Sequence, residues 1–284
     1  VRLSLRSAGL AGSSRDLGHM LGVNKGLRAL DLRGDNAFPR VAELARNAAR
    51  NCHLLDLRID GTQLPEDEAA QLGALLQRNQ SIRTLELSNV DLTETVVELN
   101  KALKANSTLT ELRLPGGVHA ATHKDRLRHL FPSLRLNRTL TELALPGQQL
   151  AACLPGLVEV LLPNPCVQRL DLSGTQVLKT TDSVQALMTL IADTQGLTAL
   201  DLSRNDVPPH LLRLAEALCA NTSLTTLTLD ENNITDADLD PFVDGLQGNR
   251  CLQAISLEGN GIRTRDSRMK LQDCLARNRP SGIN

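Results

Sequence analysis

Apolar residues recur along this chain in one phrase, Asn-x-x-Leu-x-x-Leu-x-Leu, with polar residues between them. Clear copies read NKGLRALDL from Asn24, NQSIRTLEL from Asn79, NSTLTELRL from Asn106, NRTLTELAL from Asn137 and NTSLTTLTL from Asn221. The leading apolar positions fall at Leu27, Cys52, Ile82, Leu109, Leu140, Val167, Leu197, Leu224 and Leu252, and VRLSLRS is a tenth copy already in progress. Successive starts lie 25, 30, 27, 31, 27, 30, 27 and 28 residues apart. Self-similarity at such a period marks a stack of supersecondary units rather than a globule.

Within one unit the period changes. LTTLTL from Leu224 alternates apolar and polar residues, which predicts a short strand with one buried face. A polar turn, DENNIT, follows with an inward Ile234. Leu239, Phe242, Val243 and Leu246 are then spaced i, i+3, i+4, i+7, the stripe of an amphipathic helix. Thr235 and Asp238 resemble a capping box at its start. Leu211, Leu214, Ala215 and Leu218 make the stripe of the preceding helix, and Val96, Leu99 and Leu103 that of an earlier one. No unit can bury its apolar face alone, so each strand needs a parallel neighbour, and helical crossovers between parallel strands wind right-handedly. Helices are bulkier than strands, so strands should line a concave side.

The repeat Asn column (Asn24, Asn51, Asn79, Asn106, Asn137, Asn164, Asn221, Asn249 and Asn278) reads as left-handed helix C-caps. A second Asn, after the Leu-x-Leu core, stands only at Asn205, Asn232 and Asn260. Asp35, Asp60, Val90, Gly117, Gln148 and Thr175 replace it earlier, where the backbone must be satisfied differently. The unit from Cys52 reads as two residues short before its Leu-x-Leu core. The stretch 115–165 is the least regular: Pro132 should kink or split its helix, Pro155, Gly156, Pro163 and Pro165 should shorten the next, and Pro115-Gly116 and Pro146-Gly147 follow their strands directly. A local change of curvature is expected there.

These units resemble leucine-rich repeats of the helix-bearing subtype found in ribonuclease inhibitor and in nucleotide-binding immune receptors. LTALDLSRNDV, LTTLTLDENNI and LQAISLEGNGI carry the match most closely. The resemblance covers essentially the whole chain and implies a right-handed α/β solenoid. That would be a horseshoe of about ten repeats in a single domain, 1–284, with parallel strands on the concave face and helices on the convex face. Val1 enters a strand directly, so the domain is expected to be excised from a longer protein.

Composition narrows the function. Aromatics are 1% of residues, with no Trp or Tyr, so the core must be aliphatic. Formal net charge is −1, with no basic block or stacking aromatic, which argues against nucleic acid and membrane as partners. The six cysteines show neither Cys-x-x-Cys spacing nor clustering at the ends. They read as reduced, buried thiols and favour a cytoplasmic location. Sequons at Asn79, Asn106, Asn137, Asn221 and Asn233 are mostly the repeat Asn itself and say little about secretion.

Catalytic chemistry is sparse. His119 and His123, with Asp125 and His129 nearby, lack a third ligand of metal-site type. No glycine-rich loop, nucleophile–base arrangement or cofactor motif stands out, and no cysteine is followed by Asp two residues on, as in the repeat-bearing bacterial ubiquitin ligases. No metal, cofactor or small-molecule substrate is therefore expected. The outward strand positions carry more. The middle position of each Leu-x-Leu gives Ser4, Asp31, Asp56, Glu86, Arg113, Ala144, Asp171, Asp201, Thr228 and Ser256. The next outward position gives Arg6, Arg33, Arg58, Ser88, Pro115, Pro146, Ser173, Ser203, Asp230 and Glu258. An Arg/Asp ladder thus passes through a neutral centre to an acidic end that includes Glu231. Two readings stand: charges that keep the face soluble and pair across strands, or a polarised docking surface for a protein. The resemblance implies a non-enzymatic protein-interaction module, monomeric in isolation. The expected context is the recognition domain of a bacterial virulence effector in host cytoplasm, recruiting substrate to an attached ubiquitin ligase. An immune-receptor sensor and a GTPase activator of leucine-rich repeat type are the alternatives.

Overall fold

The computed structural model describes residues 1–5, 14–34, 41–60, 66–89, 92–117 and 125–278. The chain forms two compact units, Val1–Gln148 and Gln149–Asn284. In the first, strands β1 (Arg2–Ser4), β2 (Ala29–Leu32), β3 (Asp56–Asp60), β4 (Thr84–Ser88), β5 (Glu111–Arg113) and β6 (Glu142–Ala144) pair in parallel, each with the next in sequence. Between them come helices α1 (Ser14–Val23), α2 (Val41–Ala48), α3 (Glu66–Arg78), α4 (Leu92–Ala105) and α5 (Phe131–Leu136). The second unit begins with α6 (Leu154–Leu161) and continues β7 (Arg169–Asp171), α7 (Thr181–Asp193), β8 (Ala199–Asp201), α8 (Leu211–Ala220), β9 (Thr226–Thr228), α9 (Asp236–Gly245), β10 (Ala254–Ser256) and α10 (Arg265–Ala276). Its strands are also parallel and paired in chain order. Among the described residues no helix is long and apolar enough to cross a membrane.

Register follows the leucines. Leu30, Leu57, Leu85, Leu112 and Leu143 stand opposite one another in the first unit, and Leu170, Leu200 and Leu227 in the second, all buried. Burying each such side chain stabilises by about 1.5–3 kcal/mol, so the leucine row is a main source of each unit's stability. The helix stripes are where the periodicity puts them: Leu239, Phe242, Val243 and Leu246 are all sealed, as are Leu211, Leu214, Ala215 and Leu218. Asp238 Oδ2 accepts from the backbone N–H (2.9 Å) and hydroxyl (2.6 Å) of Thr235, completing the start of α9.

The third repeat corrects the sequence register. Leu54, not Cys52, is its leading apolar residue: Leu54 is fully buried and Cys52 exposed. Asn51 Oδ1 accepts from the backbone of His53 and Leu54, both at 2.8 Å, so Leu54 lies three residues after the repeat Asn as elsewhere. The repeat is therefore full length, with Leu57 and Ile59 as its core pair. Arg58 then occupies the middle outward position, opposite Asp31 and Glu86, while Asp56 stands one step earlier beside Ala29 and Thr84.

The asparagine column is structural, but not through a left-handed cap. Asn137, Asn221 and Asn249 end their helices in extended backbone, at φ −66°, −75° and −69°. The side chain does the work instead. Asn79 Oδ1 accepts from Ser81 and Ile82 N–H, both at 2.8 Å, while Nδ2 donates to Ala48 and Asn51 carbonyls of the preceding coil, at 2.9 and 2.8 Å. Asn51, Asn137, Asn221 and Asn249 repeat this bridge. It fixes the strand entry and joins neighbouring coils in one step.

The second asparagine ladder is continuous where the sequence places it. Nδ2 of Asn205, Asn232 and Asn260 donates to the carbonyls of Leu172, Leu202 and Leu229 at 2.7, 3.0 and 2.9 Å. Earlier, Gln148 Nε2 serves the Leu114 carbonyl at 2.9 Å. Position Asp35 and the corresponding Thr62 and Val90 lie outside the described residues.

In the irregular stretch, a 3₁₀ turn over Arg126–Leu130 runs into α5, and Pro132 stands in that helix's first turn. The proline thus splits the segment, as its missing N–H requires. Helix α6 is short, with Pro155 likewise in its first turn. Gly116 N–H donates to the Pro146 carbonyl at 2.6 Å, so the two Pro-Gly turns prolong the pairing of β5 and β6. A Cβ on Gly116 would run into the Gly147 backbone, which accounts for glycine there.

Candidate functional site

In the first unit the outward strand residues form a closed electrostatic network. Arg33 binds Asp31 through Nε and Nη2, both at 2.9 Å, and Glu86 through Nη1 at 2.6 Å. Arg58 holds Asp56 at 3.0 Å and lies 3.6 Å from Glu86. Arg113 pairs with Glu111 and Glu142. Ser88 Oγ also donates to Glu86, at 3.1 Å. Asp31 and Glu86 are 1% and 6% exposed, so these carboxylates are sealed beneath their arginines rather than offered to solvent. The bond to Asp56 holds the Arg58 guanidinium above its ordinary pKa; at Arg113 burial opposes ionisation and the two glutamates outweigh it. Asp60 accepts from Gly34 N–H at 2.8 Å and from Asn89 Nδ2 at 3.0 Å. Asp31, Arg33, Arg58, Glu86 and, at the flank, Asp56 are thus brought together, and Arg113 sits in a neighbouring cluster.

In the second unit the pattern reverses. Asp171 Oδ1 accepts from Ser173 N–H at 2.8 Å, and Asp201 Oδ1 from Ser203 N–H and Oγ at 2.8 and 2.5 Å. Asp230 Oδ1 takes Ser256 Oγ and Glu258 N–H at 2.6 and 2.7 Å. These bonds orient the carboxylates without neutralising them. Burial raises the Asp201 pKa, with Asp171 and Asp230 adding to the rise and the Ser203 bonds opposing it. Glu258 is exposed, and Glu231 pairs at the surface with Arg204, Oε1 to Nη2 at 2.6 Å. Arg204 and Glu231 both hold left-handed backbone, φ 58° and 53°, where glycine would be free of strain.

Arg6, His119 and His123 lie outside the described residues; Asp125 is exposed and pairs with Arg128 at 2.8 Å. All six cysteines are free, but only Cys153 and Cys274 are buried; Cys166, Cys219 and Cys251 are half-buried, and Cys52 is exposed. The charge pairing was legible as an Arg/Asp alternation, whereas the burial of Asp31 and Glu86 was not. The sequence reads Arg58 as an outward residue but places it one outward step too late; in correct register it stands between Asp31 and Glu86 of the adjacent strands.

Coils of one strand and one helix, stitched by buried asparagines and displaying a polar strand face, define a repeat protein built to present a surface. Residues 220–243 match the family model described as a leucine rich repeat. The solved structure of the leucine-rich repeat-containing protein LegL7 from Legionella pneumophila shares the fold over 100% of this chain and 99% of its own, at a TM-score of 0.64 and 17% identity. A protein from Bacteroides fragilis aligns over 79% of this chain and 64% of its own, at a TM-score of 0.49 and 14% identity. No curated protein matches the sequence. The chain therefore has the leucine-rich repeat fold, and residues 220–243 carry the repeat in sequence as well.

Proposed function

We propose that the chain binds a protein partner through its strand face, and that β7–β10 supply the contact that selects it. The observation that carries this reading is the contrast in charge. Strand-face acids of the first unit face arginines at ion-pair distance, whereas, among the described residues, Asp171, Asp201 and Asp230 accept from hydroxyl and backbone donors and exposed Glu258 has no ion pair. A face of that kind suits a basic protein segment, with the charges setting orientation and on-rate more than affinity. The absence of Tyr and Trp leaves polar contact and arginine as the means of recognition. The context we infer is the recognition domain of a bacterial effector acting in host cytoplasm and recruiting a substrate for an attached activity such as ubiquitin ligation. The leucine-, alanine- and arginine-rich composition and the free thiols support it.

The test is capture of host proteins by the wild-type chain and by Asp171→Lys combined with Glu258→Lys, with folding checked by circular dichroism. A partner retained by the first and lost by the second supports the assignment. A partner retained equally by both refutes it, and acceleration of GTP hydrolysis by a small GTPase would replace it with an activator role.

A further inference from the structure

The helix face of the second unit carries a second kind of surface. Helices α6 and α7 leave between them a groove of about 410 Å³, lined by Pro155, Val158, Glu159 and Leu162 on one side and Asp182, Gln185, Ala186 and Thr189 on the other. Both sets are spaced i, i+3, i+4, i+7, so each is one straight helical face. Val158 is nearly sealed at the floor, while Pro155, Leu162, Ala186 and Thr189 remain partly exposed along the walls. The groove stays open because Ala186 and Thr189 are too small to fill it and α6 is only eight residues long. A second groove, between α7 and α8, shares Gln185 and Thr189 with the first and brings in Asp193 and Glu216. Arg213 is the cation that lines it, bonded to Gln185 Oε1 at 2.8 Å. Among the described residues, none of Glu159, Asp182, Asp193 and Glu216 has an ion-pair partner. That is the opposite of the strand face of the first unit, whose acids are matched.

An apolar floor between parallel helical walls, edged by unmatched carboxylates, is complementary to one class of ligand. We propose that the α6–α7 groove docks a cationic amphipathic helix of a protein partner, its apolar stripe on Val158, Leu162 and Ala186 and its lysines or arginines toward Glu159 and Asp182. Helix-in-groove recognition uses apolar anchors at this helical spacing, and the flanking charges would fix the partner's orientation. This surface lies on the helices and is independent of the strand-face reading above.

The probe is a synthetic helical peptide with leucines at i, i+3, i+4, i+7 flanked by lysines. Its binding to the intact chain is followed by fluorescence anisotropy at low salt. Saturable binding is expected, weakened roughly tenfold or more, about 1.4 kcal/mol, by Glu159→Lys combined with Asp182→Lys. Both positions are exposed, so folding should survive the exchange. Ala186→Trp, which fills the groove without changing charge, should give a comparable loss while circular dichroism stays native. Absence of saturable binding overturns the proposal, as does a loss below tenfold in both variants. Equal binding of a peptide of the same composition with its leucine spacing scrambled would show charge attraction alone and overturn helix docking. Unchanged peptide affinity in Asp171→Lys with Glu258→Lys is expected, which separates this site from the strand face.

Discussion

Replacing Asn79 by Ala tests whether the repeat asparagine, rather than the leucines alone, holds neighbouring coils in register. Its five side-chain bonds, one accepted from Ser81 Oγ at 3.2 Å among them, do not weigh equally. The Ala48 carbonyl keeps the Asn51 N–H at 3.0 Å, and the Asn51 carbonyl keeps Ser81 Oγ at 3.0 Å. The Ser81 and Ile82 N–H groups lose their acceptor, and both residues are buried, at 7% and 1% exposure. Each orphaned buried donor costs about 1–3 kcal/mol, so Asn79→Ala should cost roughly 2–6 kcal/mol. Against a domain stability of about 5–15 kcal/mol, that is a loss easily read. Asn24→Ala is the control. It removes the same two acceptor bonds, to Gly26 and Leu27 at 2.9 and 2.7 Å, but only Leu27 is buried, and water can serve the exposed Gly26 N–H. Its cost should be about 1–3 kcal/mol, roughly half that of Asn79→Ala. With no Trp or Tyr in the chain, urea unfolding is best followed by far-ultraviolet circular dichroism. A loss below about 1 kcal/mol for Asn79→Ala, or an equal loss for Asn24→Ala, would refute the argument.

Arg33→Met should destabilise by about 2–3 kcal/mol, because it removes the nearest cation from nearly sealed Asp31 and Glu86. Arg204→Ala, at an exposed pair, should leave the urea midpoint unchanged; equal midpoints for the two variants would contradict the distinction. Asp201→Asn should stabilise at neutral pH. Its folded-state pKa is raised, so the ionised form is disfavoured by folding, and stability falls as pH rises through the raised value. The gain over wild type should be complete above that value and vanish as pH falls to the ordinary carboxylate range near 3.8. A gain that persists at low pH would assign the effect to packing instead.

Most of the fold was readable because burial and period agree. A leucine every second residue in a strand and every third or fourth in a helix leaves one arrangement that hides them all. The error at the third repeat shows where this logic fails. Strands alternate with period two, so a slip of two residues keeps every side chain on its proper face, and hydrophobic pattern cannot detect it. Cys52, Leu55 and Leu57 fit the apolar spacing as well as Leu54, Leu57 and Ile59 do; what separates them is Asn51, which stands three residues before Leu54 and accepts from its N–H. The same bond explains why the asparagine column was assigned the wrong backbone. Asn suits a left-handed cap and a side-chain bridge equally, and only the polar bookkeeping of the following N–H groups distinguishes the two. On the strand face, the alternation of charge could be read directly. Whether an acid is sealed or displayed depends on which strand neighbour stands opposite, and so on register.

That dependence bears on where recognition can evolve. An outward strand residue in the first unit is tied to its neighbours by ion pairs, so changing Arg33 alters stability along with the surface. Reversing Arg33 and Arg58 together would confront sealed Asp31 and Glu86 with like charge, and a lost interaction could not then be told from a lost fold. In the second unit, the stitching falls to Asn205, Asn232 and Asn260 and to Asn221 and Asn249, all turned away from the outward positions. Glu258, exposed and free of an ion pair among the described residues, can change without cutting those bonds. A surface whose residues vary independently of the framework is the one on which specificity can be altered at little structural cost. On that ground the acidic strands β7–β10 are the better place to seek a partner-determining contact.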